Sequence, residues 1–201
     1  SLLAAPPQEL PVIGDTTSGL ISLDMERELG QAFLRSLRSQ APTVSDALLK
    51  DYLEFLIYRL AYHSQLQDRR LDLVVIDSPQ LNAFAAPGGI IGINLGLFIH
   101  AETENEFSAI LAHELAHLSQ RHFARQVDSS RRSTLTVLAG LLASIILIST
   151  TGGDAGLAAI TASQALAQQS ALRHSRGREA EADRVGILTL VEADKDPRAM
   201  A

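Results

Sequence analysis

The chain has 201 residues, enough for one sizeable hydrophobic core. Its 23 acidic and 17 basic residues leave a net charge of −6, which argues against a nucleic-acid partner, since such proteins present a basic face. There is no cysteine, which excludes disulfides, thiolate metal sites and cysteine nucleophiles.

Residues 1–18 are punctuated by Pro and Gly and carry no Lys or Arg, so they lack the basic start of a secretory leader. They read as a flexible N-terminal arm, such as a processed chain would carry, ahead of a domain over 19–201. Residues 22–40 place Met25, Leu29, Phe33, Leu34 and Leu37 at helical spacing. Residues 43–64 repeat that pattern behind the capping residues Thr43 and Ser45. "LDLVVID" (71–77) is short and β-branched, a strand. "NAFAAPGGIIGIN" (82–94) sets two apolar runs around Pro87-Gly88-Gly89 and predicts a hairpin. Thr103 with Glu106 is a capping-box pattern that opens a helix expected to run to about Val127.

Residues 133–172 carry a single charge, Asp154, and 134–151 form eighteen uncharged residues behind Arg131-Arg132. Three readings are open for 134–172: a membrane span, a buried helical hairpin turned at Gly152-Gly153, or an apolar plate touching a membrane surface. Eighteen residues fall short of the roughly 20 a span needs, which favours a partly exposed hairpin. Residues 175–194 form an amphipathic helix, and "DPRAM" (196–200) opens another. The expected class is α+β, mostly helical, with one small sheet.

The chemistry lies in "AHELAH". On a helix, residues four apart differ by about 40° in direction and about 6 Å in height, so His113 and His117 offer two neighbouring nitrogens to one ion. Glu114 projects about 100° from His113, beside the ion, where it can deprotonate a water. Zinc accepts this ligand set and keeps a position open in catalytic sites. Two such histidines can also be satisfied core residues, but the capped helix after a hairpin is the context a metal site requires.

A third ligand is needed. His122 falls about 180° round the helix from His113 and reads as a surface or second-layer residue, not a ligand. "GREAEADRVG" is the better source: Glu179 and Asp183 share a helix face, with Glu181 about 200° from Glu179. Alone, this acidic run would read as a solvated face. Paired with H-E-x-x-H, it makes Glu179 a ligand and Asp183 the acceptor of a ligand imidazole N–H. An exposed edge strand at Asn82, Ala83, Phe84 and Ala85 would bind an extended substrate through main-chain hydrogen bonds. An interior strand without a substrate role is the other reading of those residues.

H-E-L-A-H with "SRGREAEAD" sixty-odd residues later resembles the gluzincin metallopeptidases that include the heat-shock protease HtpX and the CAAX prenyl proteases. "NAFAAPGGIIGI", "HLSQRHFAR" and "EADRVGI…DPRAM" are similar to the soluble BepA-like branch, and the resemblance covers about residues 20–201. It implies a zincin-like domain with a small sheet beside the H-E-x-x-H helix. It also implies one zinc ion on His113, His117 and Glu179, Glu114 as the base, and Asp183 behind the ligands. The branch carries a C-terminal helical-repeat domain and a downstream His or Arg near the metal, neither of which has a matching position here; His174 does not fill that role.

The activity implied is endoproteolysis of misfolded or stalled envelope and outer-membrane proteins in a bacterial periplasm. The implied partners are those substrates and the outer-membrane assembly machinery, with membrane-surface contact through 134–172 and no nucleic acid. A chaperone-like binding module with a latent protease or a structural zinc is the competing class. Glu114 separates the two, since a structural zinc has no use for a base.

Overall fold

The computed structural model describes residues 21–129, 140, 143 and 165–200. The arm over 1–18 and the apolar tract from 134, apart from 140, 143 and its last eight residues, lie outside the described residues.

Helix α1 (Leu23–Gln40) starts on Ser22, whose hydroxyl accepts the Met25 N–H, and buries Phe33, Leu34 and Leu37; Met25 faces solvent. Helix α2 (Ala47–Tyr62) is capped by Asp46, whose carboxylate accepts the Leu49 N–H at 2.8 Å. Neither Thr43 nor Ser45 is its cap. Thr43 instead bridges to Ile76, because this stretch is drawn out along the sheet before the helix can begin.

Strands β1 (Asp72–Ile76), β2 (Ala83–Ala86) and β3 (Ile90–Asn94) form one sheet in the order β1-β3-β2, with β1 parallel and β2 antiparallel to β3. The predicted hairpin is thus β2–β3, closed at Gly88 and Gly89, whose φ of 77° and 85° suit glycine alone. A side chain at Gly88 would strike the Arg27 Cα and Glu26 carbonyl at 2.8 Å, so the turn also lets α1 lie close.

Alternation along the strands sorts the core into two layers. Val74, Ile76, Phe84, Ala86 and Ile90 meet Phe33, Leu34 and Leu37 of α1 on one face. Val75, Ile91 and Ile93 meet Leu53, Leu56, Ile57 and Leu60 of α2 on the other, together with Leu111, Leu115 and Leu190. The outer edge of β1 is partly covered: the Val44 N–H donates to the Val75 carbonyl and the Asp77 N–H to that of Pro42. Strand β2 forms the other edge.

After the short α3 (Gly96–His100), α4 (Glu104–Ser119) starts as expected. The Thr103 hydroxyl accepts the Glu106 N–H, and the Glu106 carboxylate reaches back to the Glu102 N–H. It does not continue to Val127. The chain turns at Gln120–Arg121, where Arg121 has φ 50°, and restarts as α5 (His122–Ser129). The last long helix, α6 (Ala165–Glu192), begins ten residues before the expected start at 175. A 3₁₀ turn (Pro197–Met200) follows where another helix was expected. Among the described residues, no helix is long and apolar enough to cross a membrane.

Candidate metal centre and active site

Helix α6 lies across α4 through small residues. Ala116 meets Ala182 and Val185, and Gly186 sits where any Cβ would touch the His113 backbone N at 3.2 Å and the Ala112 carbonyl carbon at 3.3 Å. This close approach lets the short acidic side chains of α6 reach the histidines of α4. His113 Nε2 and His117 Nε2 are 3.0 Å apart, and Glu179 Oε2 lies 3.3 Å from the first and 3.4 Å from the second. Among the described residues this trio is the His/Asp/Glu cluster able to hold a metal ion.

Asp183 Oδ1 is 2.8 Å from His113 Nδ1. An ionised carboxylate can only accept, so Nδ1 carries the proton and Nε2 turns its lone pair to the cluster. His113 Nε2 and Glu179 Oε2 are then two acceptors 3.3 Å apart, with the imidazole nitrogen of His117 beside both, an arrangement a cation would hold together. The donor chemistry therefore fits a metal.

Of the two readings of His122 the second-layer one holds: its side chain is 5% exposed and its Nδ1 lies 2.9 Å from His117 Nδ1. The 180° projection assumed one unbroken helix, whereas the turn at Arg121 swings α5 back so that His122 stands behind His117. Glu181 points away from the trio, as expected, and meets His122 Nε2 at 3.2 Å and Arg125 Nη2 at 3.0 Å. Sequence reasoning missed this second group. The 119–121 run holds no Gly or Pro, and Gln and Arg are good helix formers, so no local signal marked the break after which every later projection has to be counted afresh.

Strand β2 and helices α4 and α6 enclose a cleft of about 350 Å³, lined by residues 82–87 on one side and by Glu114, His117 and Glu179 on the other. The Glu114 carboxylate accepts the backbone N–H of Ala85. Withdrawal from water pushes its pKa up to about 8, against that hydrogen bond and with help from the Glu179 charge. Burial likewise pushes the His117 imidazole down to about 4, opposed by Glu179 and aided by His113 and His122. His117 is therefore neutral near pH 7, the form that ligates metals. Arg178 lines the same cleft and donates to the Gln126 side-chain oxygen at 3.3 Å.

Residues 47–201 match the model of peptidase family M48. The chain belongs to peptidase family M48. M48 peptidases are metal-dependent, and among the described residues His113, His117 and Glu179 form a group that could hold a metal ion. Over 195 residues the chain is 38% identical to a putative beta-barrel assembly-enhancing protease of Vibrio cholerae, covering 96% of this chain and 40% of that one. The beta-barrel assembly-enhancing protease of Escherichia coli is 34% identical over 191 residues, 95% of this chain and 39% of its own length. A mitochondrial metalloendopeptidase OMA1 of Schizosaccharomyces pombe is 28% identical over 193 residues, 89% of this chain and 51% of its own. The chain thus spans about two fifths of the length of the bacterial relatives it matches.

Proposed function

We propose that this chain is the peptidase domain of a zinc metalloendopeptidase that cleaves misfolded or stalled envelope proteins in a bacterial periplasm, working beside the outer-membrane assembly machinery. Family membership and the names of the bacterial relatives support the class of reaction and the setting. The carrying observation is the trio itself. Zinc bound at about 2.0–2.1 Å in a tetrahedron needs its donors about 3.3–3.4 Å apart, and the edges here are 3.0, 3.3 and 3.4 Å.

His113, His117 and Glu179 would hold the ion, and Asp183 would keep His113 in the ligating tautomer. Bound there, zinc supplies Lewis acidity, which makes water a nucleophile near pH 7 and polarises a carbonyl. With the ion's positive charge nearby to keep its carboxylate ionised, Glu114 would take a proton from water onto a carboxylate oxygen and return it to the departing amine nitrogen. The Ala85 N–H aims that carboxylate into the cleft.

The substrate lies along β2. The Asn94 N–H donates to the Asn82 carbonyl, so by antiparallel alternation residues 82, 84 and 86 spend their backbone groups on β3, whereas 83 and 85 face the open edge. The Ala85 N–H goes to Glu114. The Ala83 N–H and the carbonyls of Ala83 and Ala85 are left to pair with an extended chain, giving affinity with little regard to sequence. Asn82 and Phe84 act indirectly: Phe84 packs its ring over Gly92 and edge-on to Phe33 at 6.0 Å, which fixes the strand.

The test compares wild type with Glu114→Gln for zinc content and for cleavage of casein. Both should carry one zinc per chain, and turnover should fall by roughly 10²–10⁴-fold in the variant. Equal turnover, or a wild type that takes up no zinc, overturns the proposal.

A further inference from the structure

Behind His117 lies a chain of polar contacts that the reaction as described does not use. It runs from His117 Nδ1 to His122 Nδ1 at 2.9 Å, from His122 Nε2 to Glu181 Oε2 at 3.2 Å, and from that oxygen to Arg125 Nη2 at 3.0 Å. Its protons can be placed from one end. Arg125 always donates, and the Glu181 carboxylate beside it accepts. His122 Nε2 must then carry a hydrogen, since a bare nitrogen there would face a second acceptor. In a neutral imidazole this leaves a lone pair on His122 Nδ1. That lone pair accepts the His117 Nδ1–H, and His117 Nε2 is left with its lone pair facing His113 Nε2 and Glu179 Oε2.

We propose that His122, anchored by Glu181, is a positioning residue for the metal centre, which fixes the tautomer and ring plane of His117 as Asp183 does for His113. The proposal rests on the reading that His113, His117 and Glu179 hold zinc. The two ligand histidines would then be oriented from different elements: His113 from α6, and His117 from α5.

The backbone is built to put His122 there. Arg121 adopts φ 50°, a conformation uncommon for residues other than glycine, and its guanidinium is tied down. Nε and Nη2 donate to Glu26 Oε1 at 3.1 and 2.9 Å, and Nη2 also donates to the Ile21 carbonyl at 2.7 Å. This fastens the turn to the start of α1, and the next residue is His122. Its ring stands at 80° to that of His117 with centroids 4.8 Å apart, as an in-plane nitrogen-to-nitrogen contact allows.

The test measures zinc affinity by competition with a chromophoric chelator, together with the imidazole tautomers of zinc-loaded wild type by long-range ¹H–¹⁵N correlation. His122→Leu should weaken zinc binding by about 10–100-fold. His122→Asn, whose Oδ1 takes the place of Nδ1 as acceptor, should recover affinity to within about threefold of wild type. In wild type, His117 should be protonated at Nδ1 and His122 at Nε2. A His122 protonated at Nδ1, a Leu variant that binds as tightly as wild type, or Leu and Asn variants weakened alike each overturn the proposal. The tautomers decide if His122→Leu does not fold. A wild type that binds no zinc removes the underlying reading as well, whereas tight binding indifferent to His122 removes this inference alone.

Discussion

Gly186 tests whether helix packing sets the ligand geometry. A Cβ there would lie 3.2 Å from the His113 backbone N, 3.3 Å from the Ala112 carbonyl carbon and 2.6 Å from the Met200 methyl. The methyl can swing aside; the α4 backbone cannot. For Gly186→Ala the helices must give by a few tenths of an ångström, while helix propensity favours Ala by about 1 kcal/mol, so stability should hardly change. Valine adds two methyls about 1.5 Å beyond Cβ and forces the helices apart by on the order of 1 Å. Overpacking of that kind costs about 1–3 kcal/mol, or roughly 3–10 °C in Tm for a domain of this size. Glu179, two turns back on α6, then leaves the 3.3–3.4 Å contacts with both histidines. Zinc affinity measured by chelator competition should fall at least roughly 100-fold in Gly186→Val, about 2.7 kcal/mol, and by less than about tenfold in Gly186→Ala. A folded Val variant that binds zinc like wild type would refute the argument that the glycine sets the ligand spacing.

Two further outcomes arise from the cleft. In chelator-stripped protein the native state holds the Glu114 proton up to about pH 8, whereas an ordinary glutamate releases it near 4.5, so this group lowers stability as pH rises across that window. His117 has the opposite sign, losing stability as pH falls from 6.5 towards 4, so above pH 6.5 only the Glu114 contribution remains. Unfolding free energy of stripped wild type should drop by about 2 kcal/mol between pH 6.5 and 8, and that of Glu114→Gln should not; equal slopes in denaturant titrations would contradict the assignment. Ala83→Pro removes an outward N–H without touching the β3 ladder and should lower kcat/KM by about tenfold at unchanged zinc content. Unaltered kcat/KM would mean that substrate does not add to β2.

Where a pattern is local, the sequence is a good guide to this fold. Short apolar, β-branched runs over 71–77 and 82–94, broken at Pro87-Gly88-Gly89, mark the three strands because α1 covers one face of the sheet and α2 and α4 the other. The Thr103–Glu106 pattern marks the start of α4 because both partners lie within one turn. Predicted boundaries fail where distant groups decide. The start of α2 moves to Asp46 because residues 42–44 are tied to β1. The break after α4 depends on Glu26, ninety-five residues away from Arg121 in the chain. No propensity of the 119–122 run foretells an arginine held at positive φ from α1.

The same division holds for the metal centre. His113 and His117 are one turn apart, and Glu179 and Asp183 likewise, so each pair is fixed by helix geometry before any tertiary contact forms. What brings the pairs together is the small-residue seam of Ala112, Ala116, Ala182 and Gly186, a feature of shape whose partner no single helix reveals. The consequence is a candidate site whose side chains come preassembled in twos, so that folding has one distance to set, that between α4 and α6. The turn at Arg121 has the remaining orientation to fix. A substitution at Glu26 would therefore act on the site through that turn and His122.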